Sequence, residues 1–314
     1  MINRELIDAS NLVAGVDKAF WVILTISFIF LIGLTITMLY FVYKYNKKRN
    51  PKATQIEGSI KLEIIWTTIP LALVLLMFYY GWQGYTPVTG DPPDDAMEVT
   101  AVARMWSFQF QYENGKKTDT LYLPKDKPVK INMKSLDVIH GLFIPAFRVK
   151  SDMVPGRDDM FRWFIPHLEG KFDLFCTEYC GLSHSYMYTS AVVMPEDKFN
   201  EWYKDTTKVV IPAGGKPGQA GLGVMKRIGC IACHSSDGSR LIGPSFKGLY
   251  NQPKVVIIGK EEKEITADDE YIKRSIFEPN AEIVKGFNKG LMLSYKDQLT
   301  DEEIELIIEY LKTL

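Results

Sequence analysis

The chain has 314 residues, a length that fits about two domains. Its formal net charge at pH 7 is −1, so nothing in its charge points to nucleic acid as a partner. All four of its cysteines lie in two short segments, 176–180 and 230–233. Cysteines confined in this way favour metal or cofactor binding. We interpret the rest of the chain as the structure that positions these two segments.

Two long segments near the N-terminus carry no charge. Residues 19–43 and 64–90 contain no Asp, Glu, Lys or Arg, and each can cross a hydrocarbon core of roughly 30 Å as a helix. A buried helix of a soluble protein is the alternative, but two such runs close together disfavour it. The first run also lacks the basic flank and cleavage pattern of a signal peptide. We predict a transmembrane hairpin with helices at about 19–43 and 64–86, and membrane lipids as partners.

Charge predicts the orientation of this hairpin. The segment that joins the two runs is strongly basic, and its cationic residues are Lys44, Lys47, Lys48, Arg49, Lys52 and Lys61. No further Lys or Arg occurs until Arg104. Because basic loops stay in the cytoplasm, both termini and both cysteine segments are expected on the outer, periplasmic side.

The segment 96–205 has the pattern of a β domain. Val129, Ile131 and Met133 alternate with polar residues, which is the period of a half-buried strand. Turn residues such as Asn114-Gly115 and Pro155-Gly156 separate the short runs. Several short strands with this punctuation predict a sandwich or barrel.

The last part of the chain has a helical pattern. Residues 206–220 include a Gly- and Pro-rich stretch and are predicted to be a linker. Within 221–314, Thr300 and Glu303 have the spacing of a capping box at the start of the final helix. The apolar stripe of that helix consists of Ile304, Ile307, Ile308, Leu311 and Leu314.

The first cysteine segment has the ligands of a copper site. Cys176, Cys180, His184 and Met187 offer two thiolates, an imidazole and a thioether, and soft ligands of this kind select copper. The second imidazole comes from His140, which lies upstream on a different strand or loop. This set suits a two-copper electron-transfer centre, in which one electron is shared between the metals and little rearrangement follows reduction.

A disulfide and a zinc site are the two alternative interpretations of this segment. A Cys176–Cys180 disulfide is permitted in an exported domain, but it would leave the spacing of His184 and Met187 as a coincidence. A zinc site makes poor use of a thioether. His167 stands in a turn-like stretch and is interpreted as an ordinary exposed histidine.

The second cysteine segment is an attachment signal for haem c. In Cys230-Ile-Ala-Cys233-His234 two thiols form thioethers to the porphyrin and the histidine binds the iron. A redox Cys-x-x-Cys or half of a zinc site would not explain His234. That residue is the last histidine of the chain, so the sixth ligand is expected to be Met292, since Met225 lies too close to the attachment site to reach the other haem face. Core packing is the alternative role for Met292.

The chain resembles subunit II of the haem–copper cytochrome c oxidases over about residues 15–205. The matching residues are Asp137–His140, Val154–Arg157, Cys176–Met187 and, at the start of the second apolar run, Glu63–Pro70. The stretch around Met292 is similar to the axial-ligand region of small class I cytochromes c, although Leu293 stands where proline is usual.

This resemblance implies a three-part fold. A tail and two-helix transmembrane hairpin span 1–95, and a cupredoxin-like antiparallel β-barrel spans 96–205. The linker 206–220 joins the barrel to an all-α cytochrome c domain at 221–314.

The resemblance also implies the roles of individual residues. Cys176 and Cys180 would bridge the two coppers of a CuA centre, His140 and His184 would each bind one copper, and Met187 would be a weak ligand. The ligand set would be completed by the Glu178 carbonyl, with the carboxylate of the same residue near a magnesium at the contact with subunit I. Glu63 would lie near a proton pathway of subunit I, with an interfacial carboxylate at a helix end as the alternative.

The expected function is that of the subunit through which electrons enter a respiratory oxidase of the bacterial inner membrane. Electrons would pass from an external donor, either cytochrome c or an upstream quinol-oxidising complex, through haem c to CuA and then to subunit I. Oxygen reduction and proton pumping would take place in subunit I, with subunit III as a further partner. The same subunit type in a CuA-containing nitric oxide reductase and a copper-binding assembly protein are the alternatives.

One departure from the family concerns the docking of donors. The family has a tryptophan-rich patch that receives electrons from cytochrome c, and this chain keeps Trp106 but has Arg104 and Met105 where further aromatic residues are common. A tethered donor has an effective concentration on the order of mM. We therefore hypothesise that capture of cytochrome c from solution matters less in this chain.

Overall fold

The structure is a computed structural model that describes residues 9–52, 55, 57–205, 218–296 and 298–314. Most of the predicted linker 206–220 lies outside the described residues. The helices are α1 (Val13–Lys44), α2 (Ile60–Thr89), α3 (Glu196–Lys204), α4 (Gln219–Arg227), α5 (Asp269–Phe277) and α6 (Asp301–Leu311). The strands are β1 (Met97–Arg104), β2 (Ser107–Tyr112), β3 (Lys117–Thr118), β4 (Leu121–Pro124), β5 (Val129–Ser135), β6 (His140–Ile144), β7 (Val149–Met153), β8 (Phe161–Phe164), β9 (Gly170–Phe175), β10 (Tyr188–Met194), β11 (Pro253–Ile258), β12 (Glu261–Thr266) and β13 (Ile283–Val284).

The two apolar runs form a pair of long helices. Both α1 and α2 are long and apolar enough to cross a membrane, and the most apolar window of each is not buried in the protein. They extend beyond the predicted 19–43 and 64–86, because the residues on either side of these ranges, both apolar and charged, continue the same helices. Gly84 is buried against Gly15, and a Cβ on Gly84 would lie 3.1 Å from the Gly15 carbonyl oxygen. Small residues therefore let the two helices approach closely.

The middle of the chain folds into two five-stranded sheets. Their strand orders are β3-β2-β1-β5-β8 and β4-β10-β9-β6-β7. The pairings are antiparallel except for β1 with β5 and β4 with β10, which are parallel. Both sheets contribute to one hydrophobic core, in which Phe110 of the first sheet and Leu142 of the second are fully buried. The predicted alternation in β5 is confirmed, since Val129, Ile131 and Met133 are buried and the residues between them are not.

The N-terminal end of α1 is anchored in this barrel. Ser10 forms a β-bridge with Pro166, and its hydroxyl donates to the Phe147 carbonyl at 2.9 Å. One turn further on, Asp17 accepts two hydrogen bonds from the guanidinium of Arg148, at 2.6 and 3.0 Å. The far end of α2 is tied to the same barrel by Trp163, whose Nε1 donates to the Gly90 carbonyl at 2.8 Å.

The C-terminal domain is helical, as predicted, and α4 packs against α6. The capping box at Thr300 and Glu303 is present, and Ile304, Ile307 and Ile308 are buried. The expectation of an all-α domain needs one correction, because β12, β11 and β13 form a small sheet. β12 consists mostly of charged residues and is exposed almost throughout. It therefore has no buried apolar stripe from which a strand could be predicted.

Candidate functional site

The copper-type ligands converge between three strands of the second sheet. β9 ends at Phe175 and β10 begins at Tyr188, so residues 176–187 form the loop that connects them. The loop is closed at its base by a backbone hydrogen bond from Cys176 N–H to the Met187 carbonyl at 3.0 Å. His140 is the first residue of β6, the neighbour of β9, so the sheet brings it to the start of the loop.

The five predicted side-chain ligands lie together, with Cys180 at the centre. Its Sγ is 3.7 Å from Cys176 Sγ, 3.4 Å from His184 Nδ1 and 3.7 Å from Met187 Sδ. On the other side, Cys176 Sγ is 3.8 Å from His140 Nδ1. The carbonyl oxygen of Glu178 is 3.3 Å from the same sulfur. The two neighbouring sulfurs, with an imidazole beside each, offer donors that two metal ions could share.

The donors fit a pair of soft metal ions. Both cysteines, His140 and Met187 are buried, so water is kept away from the sulfur atoms. A disulfide has its sulfurs about 2.05 Å apart, whereas these sulfurs are 3.7 Å apart and both thiols are free. The hydrogen bond donated by Cys180 holds the pKa of Cys176 below its ordinary value, and His140 adds to this effect. The same bond and burial raise the pKa of Cys180.

Asp137 orients His140 for this role. The Nε2 atom of His140 donates to Asp137 Oδ1 at 2.8 Å, which leaves Nδ1 facing Cys176. Burial lowers the pKa of His140, but its bonds to Asp137 and Cys176 outweigh burial and the net shift is upward. Burial likewise raises the pKa of Asp137, yet His140 and the backbone N–H groups of Met105 and Val138 bring it below its usual value. Such a carboxylate–histidine pair fixes the tautomer of a metal ligand.

Gly141 lets the ligand loop come close to β6. A Cβ at this position would lie 2.3 Å from Thr177 Oγ1. That hydroxyl is buried and has no hydrogen-bond partner among the residues that the structure describes. The sequence pattern alone gives no role to Gly141 or Asp137, and their closeness to His140 is the signal that could have indicated one.

The haem-type segment lines a cavity of the C-terminal domain. Cys230 begins a short 3-10 helix after α4, and His234 follows it. His234 donates from Nδ1 to the Pro244 carbonyl at 2.7 Å and stacks on Phe246, with ring centroids 4.6 Å apart. This bond fixes the tautomer in which Nε2 is free to bind iron.

The environment of these residues suits a covalently held haem. Burial raises the pKa of Cys230 to about 12 and that of Cys233 to about 11, so both are protonated thiols at neutral pH. Burial lowers the pKa of His234, which its bond to Pro244 only partly offsets, so the imidazole is neutral and its lone pair is available. The cavity is mainly apolar, as a porphyrin requires.

Both candidate methionines line this cavity. Met225 is fully buried in α4, whereas Met292 is partly exposed in the loop before α6. The structure therefore brings Met292 to the haem cavity together with His234, and the choice of Met292 as sixth ligand stays a prediction.

Gly243 is required for the position of His234, and its replacement by alanine is expected to displace the imidazole. A Cβ on Gly243 would lie 2.3 Å from Cε1 of His234, far inside van der Waals contact. Overpacking of this kind costs about 1–3 kcal/mol. We expect Gly243→Ala to reduce covalent haem content and to lower the unfolding temperature, measured by the c-type absorption band and by thermal melting.

The matched control is Gly223→Ala in α4 of the same domain. No atom lies within 4 Å of the Cβ that this change adds. Removing a helical glycine stabilises by roughly 0.5–1 kcal/mol, so haem content should not fall. Equal haem content in Gly243→Ala and the wild type would contradict the assigned role of Gly243.

One short segment of the barrel contacts both sites. Arg104 and Met105 line the haem-type cavity. The backbone N–H of Met105 donates to Asp137 Oδ2 at 2.7 Å, and Trp106 Nε1 donates to the Cys180 carbonyl at 3.1 Å. Arg104 and Met105, which depart from the family pattern, and Trp106, which keeps it, thus lie at the junction of the barrel and the C-terminal domain.

Three predicted side chains point away from the ligand clusters or lie outside them. Glu178 directs its carboxylate outward to Lys150, with 3.1 Å between Oε1 and Nζ. Glu63 lies in the first turn of α2. His167 is exposed, as predicted, and its Nδ1 is 2.7 Å from Asp126 Oδ1.

Family models match three parts of the chain. Residues 6–81 match the transmembrane domain of cytochrome c oxidase subunit II, and residues 108–194 match the periplasmic domain of the same subunit. Residues 219–314 match the cytochrome c model.

Known proteins of the same kind align with most of the chain. Cytochrome c oxidase subunit 2 of Alkalihalophilus pseudofirmus is 27% identical over 307 residues, which cover 93% of this chain and 85% of that protein. Cytochrome c oxidase subunit 2 of Bacillus subtilis is 25% identical over 303 residues, which cover 89% and 82%. The solved periplasmic domain of subunit II of cytochrome oxidase from Bradyrhizobium japonicum is 27% identical and covers 37% of this chain and 96% of that one, with a TM-score of 0.35.

The relatives from Alkalihalophilus pseudofirmus and Bacillus subtilis are subunits of an oxidoreductase complex, and each aligns with about nine tenths of this chain. The chain therefore belongs to the cytochrome c oxidase subunit II family and carries a cytochrome c domain at its C-terminal end.

Proposed function

We propose that this chain passes electrons from an external donor through haem c to a binuclear CuA centre and on to subunit I, where oxygen is reduced and protons are pumped. The observation that carries the proposal is the segment Arg104–Trp106, which touches both ligand clusters. Met105 lines the cavity of Cys230 and Cys233. The two clusters are thus joined by one short stretch of backbone and two hydrogen bonds.

The haem would be held by Cys230, Cys233 and His234, with Met292 as a further ligand. CuA would be held by Cys180, by the four other ligand side chains around it and by the Glu178 carbonyl. Each group, when bound, takes up and releases one electron at a time. The loop of residues 176–187 is called the copper loop below. The protein keeps water from its sulfur atoms by burying both of its cysteines. Asp137 holds the His140 ring in one orientation, so the ligand geometry need not change with redox state.

The route from the cytochrome domain to the copper ligands has two branches. The first runs from Met105 N–H through the Asp137 carboxylate to His140. The second runs from Trp106 Nε1 to the Cys180 carbonyl. Both branches start from adjacent residues, so an electron that reaches this segment is already within hydrogen-bonded contact of the copper ligands.

Contact with subunit I is supported by the apolar surface around the copper loop. Tyr179 and Leu182 are each 79% exposed, and Tyr186 is 74% exposed. A cluster of exposed apolar side chains marks an interaction surface. Subunit I covers this surface, and subunit III completes the complex.

A magnesium ion at that contact is part of the proposal. Its carboxylate ligand from this chain is Glu178, which pairs with Lys150 in the isolated subunit and would exchange that partner on assembly. Glu63, in the first turn of α2, contributes to a proton pathway of subunit I.

The two apolar helices and the distribution of charged residues support a proposed location and orientation of the chain in the membrane. α1 and α2 span the bacterial inner membrane, with the basic loop between them in the cytoplasm. The barrel and the cytochrome domain lie in the periplasm, where cytochrome c or an upstream quinol-oxidising complex is the donor.

A metal and spectral inventory of the full chain tests this function. We expect two coppers and one covalent haem iron per chain, a reduced c-type absorption band and a multi-line electron paramagnetic resonance signal from an electron shared by two coppers. A single copper per chain, or a Cys176–Cys180 disulfide in freshly isolated protein, would refute the proposal.

A further inference from the structure

The cytochrome domain is seated directly on the barrel at the segment that contacts both sites. Gly229, just before the first haem-type cysteine, lies so close to Ser107 that a Cβ on the glycine would be 2.4 Å from Ser107 Oγ. Trp106, the aromatic residue that the family pattern keeps, is only 3% exposed. The cytochrome domain therefore covers the barrel at Ser107, the residue next to Trp106.

Arg104 is the central contact of this interface. Its Nη1 donates to Gln298 Oε1 at 2.8 Å, and its Cζ lies 3.8 Å from the ring centroid of Tyr295. Both partners belong to the cytochrome domain. A guanidinium over an aromatic face is attracted by the ring, and more strongly when it is desolvated.

The burial of Arg104 is not fully compensated. The residue is 4% exposed, and its Nε atom is buried with no hydrogen-bond partner among the described residues. Within that same part of the chain, no carboxylate forms an ion pair with it. Keeping a cation buried with an unsatisfied donor is costly, so its position is expected to serve a purpose other than stability.

The haem-type cavity indicates why Arg104 is buried at this position. Arg104 and Met105 line it together with Cys230, Cys233 and His234, so the barrel supplies part of the wall around the haem-type residues. A fixed positive charge at this place favours the reduced haem, which carries one positive charge less than the oxidised haem.

We propose that the haem c pocket is shared between two domains, with Arg104 and Met105 of the copper domain forming one wall, and that Arg104 holds the cytochrome domain in place and raises the potential of the haem. This inference rests on the proposed function, because it requires a haem at Cys230 and Cys233. It makes Arg104 a positioning residue for the transfer to CuA. It also means that an external donor docks on the cytochrome domain rather than on the barrel.

Two variants of the full chain separate charge from docking. Arg104→Gln removes the charge and retains a polar side chain. Ser107→Trp adds bulk where the interface has no space, and Ser107 is not a ligand of either group. The control is Arg240→Gln, since Arg240 also lies over an aromatic ring, that of Phe287, but within the cytochrome domain.

The readouts are the midpoint potential of the haem, followed by its c-type band, and amide hydrogen exchange of residues 228–234. We expect Arg104→Gln to lower the potential. Ser107→Trp should lower the potential too and speed exchange of 228–234 on the order of tenfold, because the covered segment becomes free to open. Arg240→Gln should leave both readouts at the wild-type values. Copper and haem contents equal to the wild type verify that each variant has folded.

If Ser107→Trp fails to fold, Gln298→Ala replaces it, since it removes the hydrogen-bond acceptor of Arg104 without adding bulk. Wild-type potential and wild-type exchange in both Arg104→Gln and the interface variant would overturn the shared pocket. A chain that binds no haem would refute the proposed function instead, and the exchange measurement would still decide whether the two domains dock.

Discussion

Replacing Cys180 with serine is expected to abolish the two-copper centre. Its sulfur lies 3.4 Å from His184 Nδ1 and 3.7 Å from Met187 Sδ, and it is one of the two sulfurs that both metals would share. A hydroxyl is a hard ligand and does not replace a thiolate toward copper. Copper content should fall from two to one or fewer, and the multi-line resonance signal should disappear.

Electron transfer to subunit I should fall by more than the roughly 10–100-fold that is typical when only an outer-shell partner of a metal ligand is changed. The measurements are elemental analysis, paramagnetic resonance and oxidase turnover of the assembled complex. Met187→Leu is the matched control, because it removes the weak thioether and leaves both thiolates. That variant should retain two coppers with an altered potential. Two coppers and the multi-line signal in Cys180→Ser would contradict the role of Cys180.

Replacing Met292 with leucine is expected to remove the sixth ligand of the haem iron. Methionine opposite histidine keeps the potential of a c-type haem high. Without it the midpoint potential should fall by on the order of 100 mV, a part of the roughly 0.8 V range that axial ligands span. Potentiometry of the c-type band in the full chain measures the change, and binding of carbon monoxide to the reduced haem reports the open position.

Met225→Leu is the control for this experiment, since Met225 lines the same cavity. A Leu-for-Met exchange conserves volume and costs less than about 1.5 kcal/mol. It should leave the potential unchanged if Met292 is the ligand. The reverse pattern, with a lowered potential in Met225→Leu alone, would assign the ligand to α4.

Local patterns predicted the features that depend on local chemistry. The alternation of Val129, Ile131 and Met133 predicted β5 because one face of the strand is buried. Thr300 and Glu303 predicted the start of α6 because a capping box needs only two residues three positions apart. The copper loop was recognisable for the same reason, since four of its side-chain ligands lie within twelve residues.

Features that depend on contacts between distant parts of the folded chain were not predictable from local patterns. Gly141 and Gly243 matter because of what stands opposite them in the fold, Thr177 and His234 respectively. The contact of Arg104 with Tyr295 joins residues almost two hundred positions apart, and no period or spacing encodes it. From the sequence alone, Arg104 stands out only as a departure from the tryptophan-rich patch of the family.

The anchoring of α1 and α2 in the barrel has a consequence for speed. The barrel is held at the outer ends of both helices, through Ser10 and Asp17 on one side and Trp163 on the other. A domain fastened at two points can neither swivel nor lift away from the membrane surface without breaking these bonds. The distance from the copper loop to any acceptor in the membrane is then a fixed length, set once at folding. In the proposed function, an electron would therefore leave the chain without any prior reorientation of the barrel.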